Sequence, residues 1–254
     1  MYKIPANLGF ASNLVHYLPS CHSTNQIAAN LLKSGTQEGS VVITDNQTNG
    51  AGQRGNEWNS EPFKNLTFSL VLKPSFLEIN HQFFLTQIIS ISMVNVLQKY
   101  VASLVKIKWP NDIYIGDKKV AGILIQNSVK GKQIESTVVG IGCNINQVEF
   151  GKLNATSLQT ISRKNFNLNE VLVESIKEIS NNYRRLQDGL RNEIEDDYLS
   201  NLLGINELRK FRYFKSSKEF EGKIIGVDNI GKLLIEMGTG VESFQNQEVK
   251  FVFN

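Results

Sequence analysis

The sequence predicts an α+β fold: a sheet built largely from a strand meander, helices packed on it, and a small all-β unit at the C-terminal end. Three observations carry that prediction. Strand-like runs at 105–109, 113–115, 120–126 and 134–146 follow one another through tight turns with no helix between them. Two long stretches, 85–104 and 169–186, repeat apolar residues at helical spacing. After Gly204 only short strand patterns remain.

From the N-terminal end, Ser23-Thr24-Asn25-Gln26 has the S-x-x-Q form of a capping box, in which two side chains satisfy free amides at a helix start. Ile27, Ala28, Leu31 and Leu32 continue on one face, and Gly35 ends the helix. Residues 40–45 read as a short buried strand, and 66–72 as an alternating strand closed by Pro74. A long amphipathic helix carries Leu85, Ile88, Ile89, Met93, Val96, Leu97, Tyr100, Val101 and Leu104. The meander turns at Gly116-Asp117-Lys118 and again near 129–133. A second helix spans 169–186, closed by Gly189, and a short one spans 194–203. The last five strand candidates, 211–215, 220–227, 232–237, 241–244 and 248–253, suggest a small barrel. The domain boundary falls near 203–207, dividing the chain into residues 1–205 and 206–254.

Composition narrows the function. The chain has 254 residues, 41% hydrophobic and 20% charged, which is the balance of an ordinary soluble globular protein. Its net charge of +3 comes from scattered lysines and arginines, so no nucleic-acid partner is expected. Cys21 and Cys143 are far apart, and His16, His22 and His81 show no ligand spacing, which argues against a disulfide framework or a zinc site. The most apolar stretch, 83–97, is interrupted by Thr86, Gln87, Ser90, Ser92 and Asn95 and is not a membrane span. No targeting signal is recognised, so the expectation is a cytoplasmic protein.

Three segments carry chemistry. The first, TDNQTNGAGQRGNEW (44–58), holds a literal G-x-G-x-x-G at Gly50, Gly52 and Gly55. A dinucleotide fingerprint needs a strand running directly into the first glycine and a helix opening at the last. Here 45–49 intervenes, Pro62 follows, and 70–74 offers no acid for a ribose. No Gly-Lys-Ser/Thr completes a phosphate loop either. What remains is a loop of exposed amides with Arg54 at its centre, read either as an anion-binding nest or as a plain surface loop. The second segment, KWPNDIYIGDKKVAGILIQ (108–126), sets Lys108, Lys118 and Lys119 around Asp112. Lys118 and Lys119 are adjacent, so only one can face a pocket on a strand. Gly122 would let a ligand approach the backbone. The third, GIGCNIN (140–146), puts two glycines in a strand, a sign of a bulge or of close approach, with Asn144 and Asn146 on one face.

Together, Ser23-Thr24-Asn25, VVITDNQT, GAGQRGNEW, Asn65-Leu66, KWPND, KKVAGIL and GIGCNIN resemble the biotin protein ligase family over nearly the whole chain. The resemblance implies a mixed, mostly antiparallel sheet with helices, related to class II aminoacyl-tRNA synthetases, as a catalytic domain over 1–205, and an SH3-like barrel over 206–254. It implies ATP-dependent activation of biotin to biotinyl-5'-AMP, then transfer to a lysine of a biotin carboxyl carrier protein of the acetyl-CoA carboxylase type. Lys119, Arg54 and Asp112 would be catalytic. Ser23, Thr24, Asn25, Gln47, Gly122, Leu124 and Lys119 would hold biotin, with the main chain of Gly50, Ala51, Gly52 and Gln53 wrapped around it. Arg54, Trp58, Lys108, Asn111, Asp112 and Asn144 would meet ATP, and Asp112, with Asn111 nearby, would face Mg²⁺. Some relatives carry an N-terminal DNA-binding domain; this chain opens at the catalytic domain, so a ligase without operator binding is expected, as monomer or homodimer. Family members often read G-R-G-R-x-G in the loop, whereas Ala51 and Gln53 stand at the two arginine positions here. That departure implies looser retention of the adenylate. A lipoate-type ligase and a non-catalytic biotin-binding protein are the competing readings.

Overall fold

The computed structural model describes residues 2–5, 10 and 14–253, apart from the side chain of Arg54. In chain order the elements are β1 (Val15–Cys21), α1 (Thr24–Lys33), β2 (Val41–Gln47), the hairpin of β3 (Gly50–Ala51) and β4 (Glu57–Trp58), β5 (Leu66–Leu72), α2 (Phe83–Gln98), β6 (Val105–Lys108), β7 (Asp112–Ile115), β8 (Lys118–Lys130) and β9 (Gln133–Cys143). Then come α3 (Leu158–Ser162), α4 (Leu168–Gln187), α5 (Arg191–Ser200), β10 (Leu208–Tyr213), β11 (Glu219–Val227), β12 (Leu233–Met237), β13 (Gly240–Phe244) and β14 (Val249–Phe251).

Seven strands form one sheet in the order β1-β2-β5-β9-β8-β7-β6. Only β1 and β2 run parallel; every other neighbouring pair is antiparallel. Alternation along the strands splits the sheet into two faces. Leu66, Phe68, Leu70, Ile141, Ile123, Ile113 and Ile107 are buried in one core with α2. Each such side chain contributes about 1.5–3 kcal/mol on burial, so this face anchors the fold. The upper part of the other face, Val42, Val71 and Val138, is covered by α1 through Ala28, Leu31 and Leu32. The lower part is left uncovered by helix, and the polar residues of the sheet gather there.

Several expectations are corrected. The long helix expected through Leu104, α2, ends at Gln98; Leu104 is exposed, and Val105 already pairs in β6. That helix is not amphipathic but buried on nearly all sides, between the sheet and the helices α4 and α5. Of its interior serines, Ser92 is satisfied locally, donating from Oγ to Ile88 O at 2.6 Å and accepting from Asn182 Nδ2 at 2.9 Å, whereas Ser90 Oγ has no hydrogen-bond partner among the described residues. The capping box does not form, since Ser23 is the N-cap but its side chain makes no cap bond. Strand β9 ends at Cys143 rather than Asn146. Strand β1 escaped prediction because Pro19 interrupts it, which an edge strand tolerates.

The C-terminal residues form a five-stranded antiparallel sheet, in the order β13-β12-β11-β10-β14. All five strand candidates are present, each shifted by a few residues at its ends. Its apolar face, with Phe211, Ile224, Leu233, Ile235 and Phe244, is continuous with the main core. Trp109 Nε1 donates to Gly231 O at 2.9 Å, and Ile205 bridges to Ile224, so this sheet is set against the mouth of the larger one.

Candidate active site

The floor of the site is a row of cross-strand neighbours. Thr67 on β5 pairs with Gly142 on β9, which pairs with Gly122 on β8, then Asp112 on β7 and Lys108 on β6. The next row on the same face runs Ser69, Gly140, Leu124. Thus glycines occupy the middle of the face, and polar or charged side chains flank them. They open a cleft of about 550 Å³, within the range of small-molecule sites. The 140–142 segment carries no bulge, because β8 and β9 pair without a break from Ala121 to Ser128. Its glycines serve close approach. A Cβ at Gly140 would run into the Asn25 amide, and one at Gly142 into the Trp58 indole.

One end of the cleft is a neutral hydrogen-bonding cluster at the start of α1. Gln47 Oε1 accepts from Thr24 N at 2.8 Å and from Thr24 Oγ1 at 3.3 Å. Ser69 Oγ lies 2.8 Å from Thr24 Oγ1 and 2.6 Å from Asn25 Oδ1, while Asn25 Nδ2 donates to Gln126 Oε1 at 3.0 Å. Thr24, Asn25 and Ser69 are buried, so their orientations are fixed before any ligand arrives.

The other end is charged. A bulge in β8, where the pairing with β7 shifts between Ile113 and Tyr114, lets Lys119 share the face of Gly122 three residues on. Lys119 Nζ would lie 3.1 Å from a Cβ on Gly122, and sits 2.6 Å from Asp112 Oδ1. Lys118 is exposed, so the adjacent lysines do take opposite faces. The Lys119 main chain is clamped by the loop opposite: its N–H donates to Asn154 O at 3.2 Å and its carbonyl accepts from Thr156 N at 2.9 Å. Lys108 also lines the cleft, with its Nζ 5.2 Å from the Phe251 ring and 5.7 Å from the Tyr114 ring. Burial pulls the Lys108 ammonium below its ordinary pKa; Asp112 opposes that shift and Lys119 adds to it. The Trp109–Pro110 peptide is cis, and Tyr198 Oη donates to Pro110 O at 2.7 Å, holding the 109–112 turn against α5.

The glycine segment and the C-terminal sheet form the outer wall. Gly50 pairs with Trp58 and Ala51 with Glu57, and a 3-10 turn at Gln53–Gly55 makes the tip, so no helix follows the glycines. Trp58 lies across the glycine floor, with Lys119 Nζ 5.8 Å from its ring; its indole N–H has no hydrogen-bond partner among the described residues. Phe214, Asn246, Lys250 and Phe251 close the cleft from the C-terminal side.

The cleft wall therefore includes Ser23, Thr24, Asn25, Gln47, Ala51, Gly52, Gln53, Trp58, Lys108, Asn111, Asp112, Lys119, Gly122 and Leu124. Asn111 also donates from Nδ2 to Ile123 O. Gly50 and Asn144 are not part of the wall. Gly50 is buried beneath Trp58, where a side chain would meet the Trp58 carbonyl and Gln47. Asn144 Nδ2 donates to Thr156 O at 3.1 Å, behind the loop that clamps Lys119. The Arg54 side chain lies outside the described residues. Asn65 is a brace: its Oδ1 accepts from Ile145 N at 3.0 Å and its Nδ2 donates to Gln147 Oε1 at 2.6 Å. Sequence reasoning missed Ser69, Thr67 and Gln126. Their signal was legible, since Thr67 and Ser69 alternate with Leu66, Phe68 and Leu70. It also missed the cleft residues of the C-terminal sheet, which no local pattern announces.

A model of the biotin/lipoate A/B protein ligase family matches residues 17–146, about half of the chain and the part that builds the floor and both ends of the cleft. The chain belongs to the biotin/lipoate A/B protein ligase family. Among relatives of this ligase-family chain, it is 30% identical to the bifunctional ligase/repressor BirA of Escherichia coli, covering 92% of this chain and 73% of that one. It is 29% identical to BirA of Bacillus subtilis, over 90% and 71% of the two chains. The biotin protein ligase from Aquifex aeolicus, solved in complex with biotin and ATP, superposes with a TM-score of 0.79 at 27% identity, covering 95% of this family member and all of that chain.

Proposed function

We propose that this family member is a biotin–protein ligase that joins biotin to ATP and passes the biotinyl group to a lysine of a carboxyl carrier protein. The observation that carries the reading is the position of Lys119, between the neutral cluster at Thr24, Asn25 and Ser69 and the charged end at Asp112 and Lys108. A neutral bicyclic urea with a carboxylate tail suits the first end, and a nucleotide triphosphate suits the second. The junction, where the carboxylate meets the α-phosphate, then falls at the Lys119 ammonium.

In the first step a biotin carboxylate oxygen attacks the α-phosphorus, the bond to the bridging oxygen breaks, and pyrophosphate leaves. Two anions must approach, so a fixed cation at the junction lowers the barrier more than it stabilises either substrate. Lys119 is held at its main chain and its ammonium by three bonds, which supplies that fixed cation. In the second step a neutral carrier lysine attacks the carbonyl of the mixed anhydride, an amide forms, AMP leaves, and the amine loses its proton.

Mg²⁺ enters as part of the nucleotide substrate. Among the described residues no group of three or more acidic, histidine or cysteine side chains is placed to hold a metal. One carboxylate, Asp112, with Asn111 beside it, fits an ion carried mainly by phosphate oxygens and water. The finer assignments, with residues 1–205 as the catalytic unit, 206–254 as an SH3-like unit and an acetyl-CoA carboxylase subunit as carrier, belong to this same reading. Among the described residues no helix is long and apolar enough to cross a membrane.

The test is pyrophosphate release on mixing the protein with Mg-ATP and biotin, with lipoate as the competing acid, beside Lys119→Ala. Biotin-dependent release that vanishes in the variant supports the reading. Release with lipoate alone, or binding of biotin without release, would replace it by one of the two competing readings.

A further inference from the structure

The glycine hairpin and the C-terminal sheet, almost two hundred residues apart in the chain, are joined by a side-chain hydrogen bond. Asn246 Nδ2 donates to Gln53 Oε1 at 2.6 Å across a sequence separation of 193 residues. Both partners are presented on turns that are themselves held. Gln53 begins the 3-10 tip of the hairpin, which is closed by Gly52 N donating to Asn56 O at 2.6 Å. Asn246 sits in the turn between β13 and β14. There Gln245 N donates to Glu248 Oε2 at 2.7 Å, Glu248 N to Gln245 O at 3.0 Å, and Phe214 N to Glu248 O at 2.9 Å.

The pair also has a particular place. A second cavity of about 570 Å³ lies beside the cleft, between α2 and the C-terminal sheet. Gln53, Asn246, Trp109, Pro110 and Leu124 line both spaces, so they form the wall between them. Trp109 and its cis peptide to Pro110 are fixed to α5 and to Gly231. Gln53 is the member of that wall carried on the glycine hairpin, and its side chain is held by Asn246.

We infer that Asn246 is a positioning residue that, through its hydrogen bond to Gln53, latches the glycine hairpin shut over the cleft and so retains the activated intermediate. The latch rests on the ligase reading for its consequence, but its existence as a restraint on the hairpin does not. Both partners are neutral amides, so the restraint is directional rather than coulombic and is insensitive to salt. The latch gives the C-terminal sheet a defined role, since it ties the hairpin over the cleft to a sheet that shares the main core. Opening the pair would join the cleft to the second cavity and give bound adenylate a second way out.

The experiment uses the full chain with Gln53→Ala, Asn246→Ala, the double variant, and the reciprocal exchange Gln53→Asn with Asn246→Gln. Amide hydrogen exchange in the ligand-free protein reads the restraint alone. Faster exchange at 50–58 in each single variant, equal at low and high salt, and no faster in the double, is expected. The rate at which biotinyl-adenylate leaves enzyme preloaded with Mg-ATP and biotin, normalised to the adenylate formed, reads the consequence. Each single variant is expected to release it about five- to tenfold faster, roughly the loss of one neutral hydrogen bond, with the exchange variant restored toward wild type. Unchanged protection at 50–58 in both single variants, or additive effects in the double, would overturn the latch. Absence of adenylate in wild type, with protection lost in the variants, would overturn the ligase reading and leave the latch standing.

Discussion

Lys119 Nζ and Asp112 Oδ1 are 2.6 Å apart on neighbouring strands, and a strand bulge brings them to the same face. Both side chains are partly solvent-accessible, so the pair is not a large source of stability. Its consequence is placement: the carboxylate aims the ammonium at the glycine floor. Lys119→Ala is expected to lower the rate of biotin-dependent pyrophosphate release by roughly 10²–10³, the usual cost of removing a preorganised charge from a transition state. Lys119→Arg should not restore it, because a planar guanidinium cannot occupy the space above Gly122 as a compact ammonium does. Asp112→Asn should slow release by less. Unaltered thermal midpoints in all three would assign the losses to chemistry rather than folding.

Lys108 makes a pH-dependent prediction. Its ammonium is pulled down from the usual lysine value, chiefly by burial. A triphosphate arriving beside it favours the charged form and raises that pKa again. Between the lowered and the restored value, nucleotide binding must therefore take up a proton. Calorimetry of ATP binding in alkaline buffers of different ionisation enthalpy should show proton uptake, disappearing below that window where Lys108 is already charged. Lys108→Met should abolish the uptake and weaken binding. Zero uptake across the alkaline range in the unsubstituted protein would contradict the placement of phosphate at this end.

The boundaries of what the sequence revealed follow from range. Local signals found β5 to the residue, both glycines after helices α1 and α4, and the meander, because each depends on neighbours within a few positions. They overran α2, since the apolar spacing continues through Val101 and Leu104 while the chain has already turned toward β6. They could not show that Ser69 joins Thr24 and Asn25, partners 45 and 44 residues away, or that Asn246 reaches Gln53. Nor could they show that the Asn144 side chain, placed at the nucleotide by resemblance alone, bonds to Thr156 O in the loop that clamps Lys119. The bulge that turns Lys119 onto the floor leaves no mark in KKVAGIL that a pattern could read.

Ser69 is the hub of the neutral cluster, bonded to both Thr24 and Asn25. Ser69→Ala removes one hydroxyl without adding volume, so the fold should persist. Freed of that restraint, Asn25 and Thr24 are expected to lose orientation, and biotin affinity should fall by roughly five- to tenfold, the worth of one buried neutral hydrogen bond. ATP affinity, which the proposed function sets at the other end of the cleft, should be unchanged. Titration calorimetry with each substrate separately would check this; a loss for ATP comparable to that for biotin would show a general collapse of the cleft.

Gly142 is tested through its neighbour. A Cβ there would collide with the Trp58 indole, which is a rigid body rather than the free end of a flexible chain. Gly142→Ala should push Trp58 off the floor toward solvent and red-shift the intrinsic fluorescence. The chain's other tryptophan, Trp109, is buried and hydrogen-bonded to Gly231, so the change reports Trp58. An unshifted spectrum would mean that the indole already lies elsewhere in solution.

Gln53 leads to the last prediction. The family pattern that the sequence resembles would put arginine at the positions of Ala51 and Gln53, and a neutral wall beside a phosphoanhydride forgoes that attraction. The described cations around the cleft are Lys108, Lys119 and Lys250, and only the last comes from the outer wall. Gln53→Arg keeps hydrogen-bonding capacity toward Asn246, whose amide oxygen can accept from a guanidinium, and adds a charge facing the intermediate. Biotinyl-adenylate should therefore leave the Gln53→Arg variant more slowly than the unsubstituted protein, by about tenfold for one charge-assisted contact. The slowing should shrink as salt is raised, because a charge near solvent is screened while the neutral pair is not. Equal release rates in the two proteins at low salt would show that the anhydride is held by the main chain of the hairpin alone, and that the missing arginine side chains cost this ligase nothing in retention.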